Sequence, residues 1–222
     1  MSTILHFINQ SCFTLEHADH KIIFDPFLDG NPQGIKPADL KVEYILLSHA
    51  HFDHLGCASE LAKANRATVI STKEVCDLFV GHADAHAMHL GGTHRFDFGT
   101  VRIVPALHGS GVPGGCACGF IIDFYGTTLY FAGDTAVFGD MALLQKLMPF
   151  KYAVLPIGDN FTMGPKDARL ATELLKPEYV IPVHYNTWPL IAQNPEQFKA
   201  DVEATTATKV LVVPAGSSIE LK

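Results

Sequence analysis

Apolar positions along the chain gather in short runs separated by turn-forming residues, the pattern of a protein built on many strands. The first runs, residues 4–8, 12–16 and 21–25, are spaced by brief polar turns and predict an antiparallel meander. From Val42 the style changes. Residues 44–48 are almost wholly apolar, a helical pattern follows over 57–65, and another strand is expected over 67–71, together a βαβ unit with its crossover helix. A second helix is predicted over 72–80, with Thr72 as N-cap and Glu74 in the first turn.

Strands resume at 100–104, 119–124 and 128–132, the last two joined by a hairpin through Tyr125, Gly126 and Thr127. Alternation then returns: a helix near 139–147, a strand at 152–156, a helix at 165–175, a strand at 179–182, and a helix near 195–204. A strand at 209–213 and a closing segment at 217–221 end the chain. Each half thus supplies a meander plus helix-covered strands. Two such halves packed sheet on sheet, with helices outside, predict an α/β protein of four-layer αββα sandwich architecture rather than one doubly wound sheet. No proline- or serine-rich linker divides the sequence, so residues 1–222 are read as a single domain. The glycine-rich segment 109–119 lacks the Gly-Lys-Ser/Thr ending of a phosphate-cradling loop and is expected to be a mobile connection beside the site.

Composition narrows the function. Apolar residues make up 48% and charged residues 18%, which excludes a disordered or fibrous chain. A formal charge of −7 disfavours nucleic-acid binding, which draws its affinity from Lys and Arg on phosphates, and a small-molecule substrate is expected instead. Self-association into a homo-oligomer is left open. No stretch reaches the roughly 18 uncharged apolar residues of a membrane helix, and residues 1–16 carry no basic region followed by an apolar run. A cytoplasmic location is the expectation. The five cysteines are odd in number and scattered, unlike a secreted disulfide framework, and Cys116 and Cys118 lack a second thiol pair to complete a four-sulfur metal site. Histidine is the exception to an ordinary composition: twelve, against sixteen Lys plus Arg.

Position gives those histidines meaning. Directly after the apolar run 44–48 comes His49-Ala50-His51-Phe52-Asp53-His54, at the carboxyl end of a strand, where α/β sheets place their ligands. His49 and His51, two apart on an extended turn, point one way; Asp53 and His54, entering a helix, point toward a second centre. Three more candidates close later apolar runs: His108, Asp134 and His184. His82, His86, His89 and His94 fall outside this strand-end pattern and read as solvated or loop residues, with His82 and His86 one helical turn apart.

The pattern His49-x-His51-x-Asp53-His54, with His108, Gly133-Asp134-Thr135 and His184, resembles the metal-binding signature of the metallo-β-lactamase superfamily. Asp25-Pro26-Phe27-Leu28, the stretch 156–165 and His184-Tyr185-Asn186-Thr187 are further similar to a bacterial and archaeal family of small metal-dependent hydrolases of mostly unassigned substrate. The resemblance implies a metallo-β-lactamase fold. It implies one metal on His49, His51 and His108, a second on Asp53, His54 and His184, and Asp134 bridging the two through its pair of oxygens. Nitrogen and oxygen ligands without sulfur suit two divalent ions, zinc first, with iron, manganese or nickel as alternatives. Asp25 matches the superfamily's first acidic motif and would orient a ligating imidazole or the loop. Asp159 and Asn160 either face the substrate or cap their own loop. Where many relatives carry Gly-His-Ser, this chain has Asn9-Gln10-Ser11, so a hydrogen bond near the pocket is expected to differ.

The implied activity is hydrolysis by a hydroxide activated on the metal pair, acting on an ester, lactone, amide or phosphodiester-type bond, with Asp53 positioning the hydroxide and shuttling its proton. No Gly-x-Ser-x-Gly nucleophile elbow occurs. The alternatives are an iron-dependent oxidoreductase or dioxygenase on the same fold, a nuclease, which the acidic charge disfavours, and a silent metal-binding scaffold.

Overall fold

The computed structural model describes residues 1–222. Strands β1 (Thr3–Asn9), β2 (Cys12–His17) and β3 (His20–Phe24) form the antiparallel meander, and β4 (Tyr44–Leu46), β5 (Thr68–Thr72) and β6 (Ala85–Met88) extend it in parallel. Between them run the short helices α1 (Phe52–Leu55), α2 (Ala58–Asn65) and α3 (Lys73–Cys76). The second half repeats the scheme. Strands β7 (Thr93–Phe96), β8 (Gly99–Pro105), β9 (Cys118–Phe124) and β10 (Thr127–Phe131) are antiparallel, then β11 (Tyr152–Pro156), β12 (Tyr179–Val183) and β13 (Lys209–Val210) join in parallel, with α4 (Met141–Leu147), α5 (Pro165–Leu175) and α6 (Pro195–Thr205) interleaved. The last strand, β14 (Ser217–Leu221), returns to the first sheet and pairs with β1. Two seven-stranded sheets result, ordered 14-1-2-3-4-5-6 and 13-12-11-10-9-8-7.

Alternation along the strands divides the apolar residues among three layers of core. Along β9, Phe120, Ile122 and Phe124 enter the seam between the sheets, while Ile121 faces the helices outside. In the seam, Phe13 stacks on Phe24 at 4.3 Å, and both meet Phe131 of the opposite sheet edge-on at 5.3 and 5.5 Å. Each buried ring contributes about 1.5–3 kcal/mol by leaving water. One outer layer packs α2 against β4 and β5 through Leu61, Ala62, Ile45 and Val69. The other seats α4, α5 and α6 on the second sheet. Helix α5 buries Ala168, Ala171, Thr172 and Leu175 at helical spacing, starts with Pro165 at its first turn and ends at Lys176 in the left-handed region. These are the four layers of an αββα sandwich.

Several local expectations are corrected. The helix expected over 72–80 is α3 followed by a tight 3-10 turn, Asp77–Phe79. The strand expected over 209–213 leaves its ladder after Val210, and Val213 turns into the seam. The segment 86–94 contains edge strands rather than a helix turn or loop alone: His86 lies on β6, His94 on β7, and their rings meet at 4.1 Å. The segment 109–119 is packed rather than loose. Ser110 accepts a backbone hydrogen bond from Ala50, and a Cβ on Gly111 would lie 2.6 Å from the Ala50 carbonyl carbon.

Candidate metal centre

The carboxyl ends of β3, β4, β10, β11 and β12 converge on one rim of the sandwich, and the chain turns sharply there. Asp25, Gly133 and His184, each just past a strand, have φ of 38°, 59° and 56°. For the two non-glycines this region costs on the order of 1–3 kcal/mol. The turns aim Asp25, Asp134 and His184 at the segment 49–54 lying between them.

His49, His51 and His108 form one group: His49 Nε2 lies 2.9 Å from His51 Nδ1, and His108 Nε2 lies 3.3 Å from the same atom. Asp53, His54 and His184 form another, with Asp53 Oδ2 at 3.5 Å from both His54 Nε2 and His184 Nε2. Asp134 stands between the groups. Its Oδ2 is 3.2 Å from His54 Nε2, 3.2 Å from His184 Nε2 and 3.6 Å from His108 Nε2. Oδ2 therefore faces both groups, and Oδ1 is buried without a hydrogen-bond partner. All seven sequence-predicted side chains meet at this rim.

Asp25 lies beneath them, fully buried. Its Oδ1 accepts from Ser48 N, and its Oδ2 accepts from Ser48 Oγ and from His54 Nδ1 at 2.6 Å each. Because the Ser48 hydroxyl spends its proton on Asp25, it accepts from His49 Nδ1 at 2.9 Å. Asp25 thus fixes the proton of His54 directly and that of His49 through Ser48, leaving both Nε2 atoms as acceptors.

That assignment tests whether cations fit. With its Nδ1 proton committed to Asp25, a neutral His54 turns an Nε2 lone pair toward the carboxylates of Asp53 and Asp134. Acceptor against acceptor at 3.2–3.5 Å is repulsive unless a positive charge lies between, a bound cation or, in its absence, a proton on Nε2. Zinc–nitrogen bonds of about 2.0–2.1 Å in tetrahedral array place donors roughly 3.3 Å apart, close to the spacings found here. The residues fit bound metal.

The titration behaviour has the same cause. Burial disfavours charge on His184, but Asp134 and then Asp53 outweigh it and raise its pKa to about 9. His54 is likewise raised against burial, by Asp134 and Asp25. Burial opposes ionisation of Asp53 and Asp134, yet both are held below the usual carboxylate range, Asp53 by hydrogen bonds from His184 and His54, Asp134 by the charges of His54 and His184. His49 behaves oppositely: burial, then repulsion by His54, lowers it to about 2.

Two features complete the site, a hydrogen bond at the Asn9-Gln10-Ser11 departure noted in the sequence and a cavity that the sequence did not reveal. Gln10, buried and with φ of 54°, donates from Nε2 to Asp53 Oδ2 at 3.0 Å and accepts from Thr187 Oγ1. A cavity of about 440 Å³ opens over the donors, walled by Phe52, Phe161, Trp188 and Leu190. Asp159 turns back on its own loop, its Oδ1 accepting from Asn160 N, neither residue lines the cavity, and it is the neighbouring Phe161 that reaches it. The sequence signal for the wall was the placement of apolar residues between or just beyond polar donors, as in His51-Phe52-Asp53.

The class defined by this sandwich is that of metallo-β-lactamase-fold proteins, and comparison with known proteins narrows it. The profile of the beta-lactamase superfamily domain matches residues 20–185. A UPF0173 metal-dependent hydrolase of Natranaerobius thermophilus is 51% identical over 98% of this chain and 99% of that protein. The UPF0173 metal-dependent hydrolase YtkL of Bacillus subtilis is 46% identical over 95% and 96%. Among solved structures, Igni18, a metallo hydrolase of the archaeon Ignicoccus hospitalis, superposes with a TM-score of 0.91 at 32% identity, covering 100% of this chain and 99% of that one. The chain belongs to the beta-lactamase superfamily and, within it, to the UPF0173 family of metal-dependent hydrolases.

Proposed function

We propose that the chain hydrolyses a small-molecule ester, lactone, amide or phosphodiester-type bond at a dinuclear centre, with zinc as the first choice of metal. His49, His51 and His108 would hold one ion, Asp53, His54 and His184 the other, and Asp134 would serve both. The observation that carries this reading is the facing of His54 Nε2 and His184 Nε2 onto two carboxylates held ionised. When bound, such a pair of ions lowers the pKa of a shared water to about 7 and polarises the bond under attack. Asp53 Oδ1, which makes no hydrogen bond within the protein, takes the proton of the attacking water and passes it to the leaving group. Asp25 and Ser48 keep His49 and His54 in the ligating tautomer, and the apolar wall keeps bulk water from the reacting bond. The five cysteines are all free thiols, which supports a reducing compartment such as the cytoplasm.

The test is elemental analysis of protein purified without added metal, together with a hydrolysis screen across these bond classes. Two ions per chain are expected. Asp134→Ala should lose paired binding and several orders of magnitude in turnover; unchanged turnover in a metal-counted Asp134→Ala sample refutes the dinuclear centre.

A further inference from the structure

Four large apolar side chains surround the cavity, and they come from three separate segments. Phe52 opens α1, Phe161 follows β11, and Trp188 and Leu190 follow β12. Phe52, Phe161 and Leu190 remain 71, 52 and 63% exposed. Isolated exposed apolar residues are ordinary, but several converging on one cavity above a polar floor mark a ligand surface.

The wall is anchored. Phe27, which follows Asp25 by two positions and is buried, lies 6.0 Å from the Phe52 ring and 6.1 Å from Trp188, while Phe52 and Trp188 are 5.9 Å apart. Phe161 is presented by two consecutive left-handed residues, Asp159 and Asn160, at φ of 63° and 53°. No Lys or Arg lines the cavity. Away from the donors at its floor the wall offers an anionic group no guanidinium or ammonium in exchange for its hydration, whereas an apolar acyl chain gains from the rings.

We infer that the substrate is a neutral carboxylic ester, thioester or lactone whose apolar acyl group lies among Phe52, Phe161, Trp188 and Leu190. This rests on the hydrolase reading above. A cavity of this size takes a modest organic molecule, with an acyl group on the order of eight carbons. In the reaction the acyl carbon–oxygen or carbon–sulfur bond breaks and water's oxygen forms the new bond to the acyl carbon. The proton ends on the leaving alcohol or thiol, so no oxidant or further reactant is needed.

Trp188 is the only tryptophan of the chain, and its emission reports on this wall directly. The first measurement titrates metal-loaded and metal-stripped protein with 2-decanone, 2-hexanone and dimethyl phosphate. Saturable change in Trp188 emission is expected with 2-decanone in both samples, with a Kd at least tenfold below that for 2-hexanone, and no change with dimethyl phosphate. The second compares p-nitrophenyl octanoate, p-nitrophenyl acetate and bis-p-nitrophenyl phosphate on metal-counted enzyme. Octanoate should lead acetate by tenfold or more in kcat/KM, with the phosphodiester slowest. Phe161→Ala and Leu190→Ala, at exposed positions, should each raise KM for the octanoate several-fold with metal content unchanged. Chain-length-independent hydrolysis, or preference for the phosphodiester, overturns the substrate class while leaving the hydrolase reading intact. Ketone binding with no hydrolysis of either ester overturns the substrate class, and the hydrolase reading falls with it only if the phosphodiester and the wider bond screen are also untouched.

Discussion

Gln10 stands outside the donor groups, yet its amide spans the centre's support: Nε2 donates to Asp53 Oδ2, and Oε1 accepts from Thr187, three residues beyond His184. Its backbone carbonyl also accepts from His184 N at 2.7 Å. A neutral amide suits this place, since it donates to Asp53 without taking up or releasing a proton. Outer partners of ligands commonly influence metal affinity or activity by about 10–100-fold, and Gln10→Ala is expected to fall in that range for the ion proposed on Asp53, His54 and His184. Gln10→Glu should be worse, because it sets carboxylate against carboxylate. Competition with a chromophoric chelator measures both; wild-type affinity in Gln10→Ala removes the assigned role. The candidate donors that the structure gathers at one rim were legible in sequence because strand-end His and Asp residues repeat a recognisable spacing. The departure at Asn9-Gln10-Ser11 was legible as a changed hydrogen bond near the pocket, but the partners of Gln10 were not, because a turn between β1 and β2 brings it against residues far along the chain.

Strand ends are where this fold concentrates both chemistry and crowding. Gly158, just past β11, sits so close to β12 that a Cβ there would lie 2.2 Å from the His184 carbonyl and 3.2 Å from its Nδ1. The backbone must yield to any side chain at that point. Gly158→Ala is therefore expected to cost about 1–3 kcal/mol through overpacking and to displace His184, lowering both Tm and the metal count. A melting curve with metal analysis checks this, and a variant with native Tm and two ions would show that β11 does not position His184. The same strands were the readable ones, since β4, β9, β10, β11 and β12 are buried and carry apolar runs. The edge strands β6 and β7 escaped notice. Their residues alternate among Ala, His, Thr and Arg with mostly exposed or half-buried positions, a pattern that sequence cannot separate from a polar loop. The return of β14 to β1 was equally hidden, because pairing across nearly the whole chain leaves no local mark.

At the scale of the molecule the centre ties one sheet to the other. Asp25 and the segment 49–54 belong to the first sheet, while His108, Asp134 and His184 belong to the second. Ions bound by both halves, as proposed, would stabilise the folded state alone, by about 2.7 kcal/mol when free metal is a hundredfold above Kd, and at about 2–4 °C per kcal/mol for a chain of this size chelation should then lower Tm by at least about 5 °C. Protons partly replace the ions in the stripped protein, and the sign of their effect is fixed. The pKa of His184 is raised to about 9 from an ordinary 6.5, so its contribution is complete below about pH 6.5 and is lost as pH rises through 9. Asp53 and Asp134 are lowered, so their contribution is present above the ordinary carboxylate pKa and is lost only in acid. Stripped protein should hold its best stability on the acidic side of neutrality and weaken from pH 6.5 to 9. Loaded protein, whose ions need the imidazoles neutral, should weaken far less there. The Tm difference between the two samples is thus expected to widen with pH across that window, as differential scanning calorimetry on matched metal-counted samples would show. A difference that stays flat or narrows would mean that imidazolium and metal do not compete for the same carboxylates.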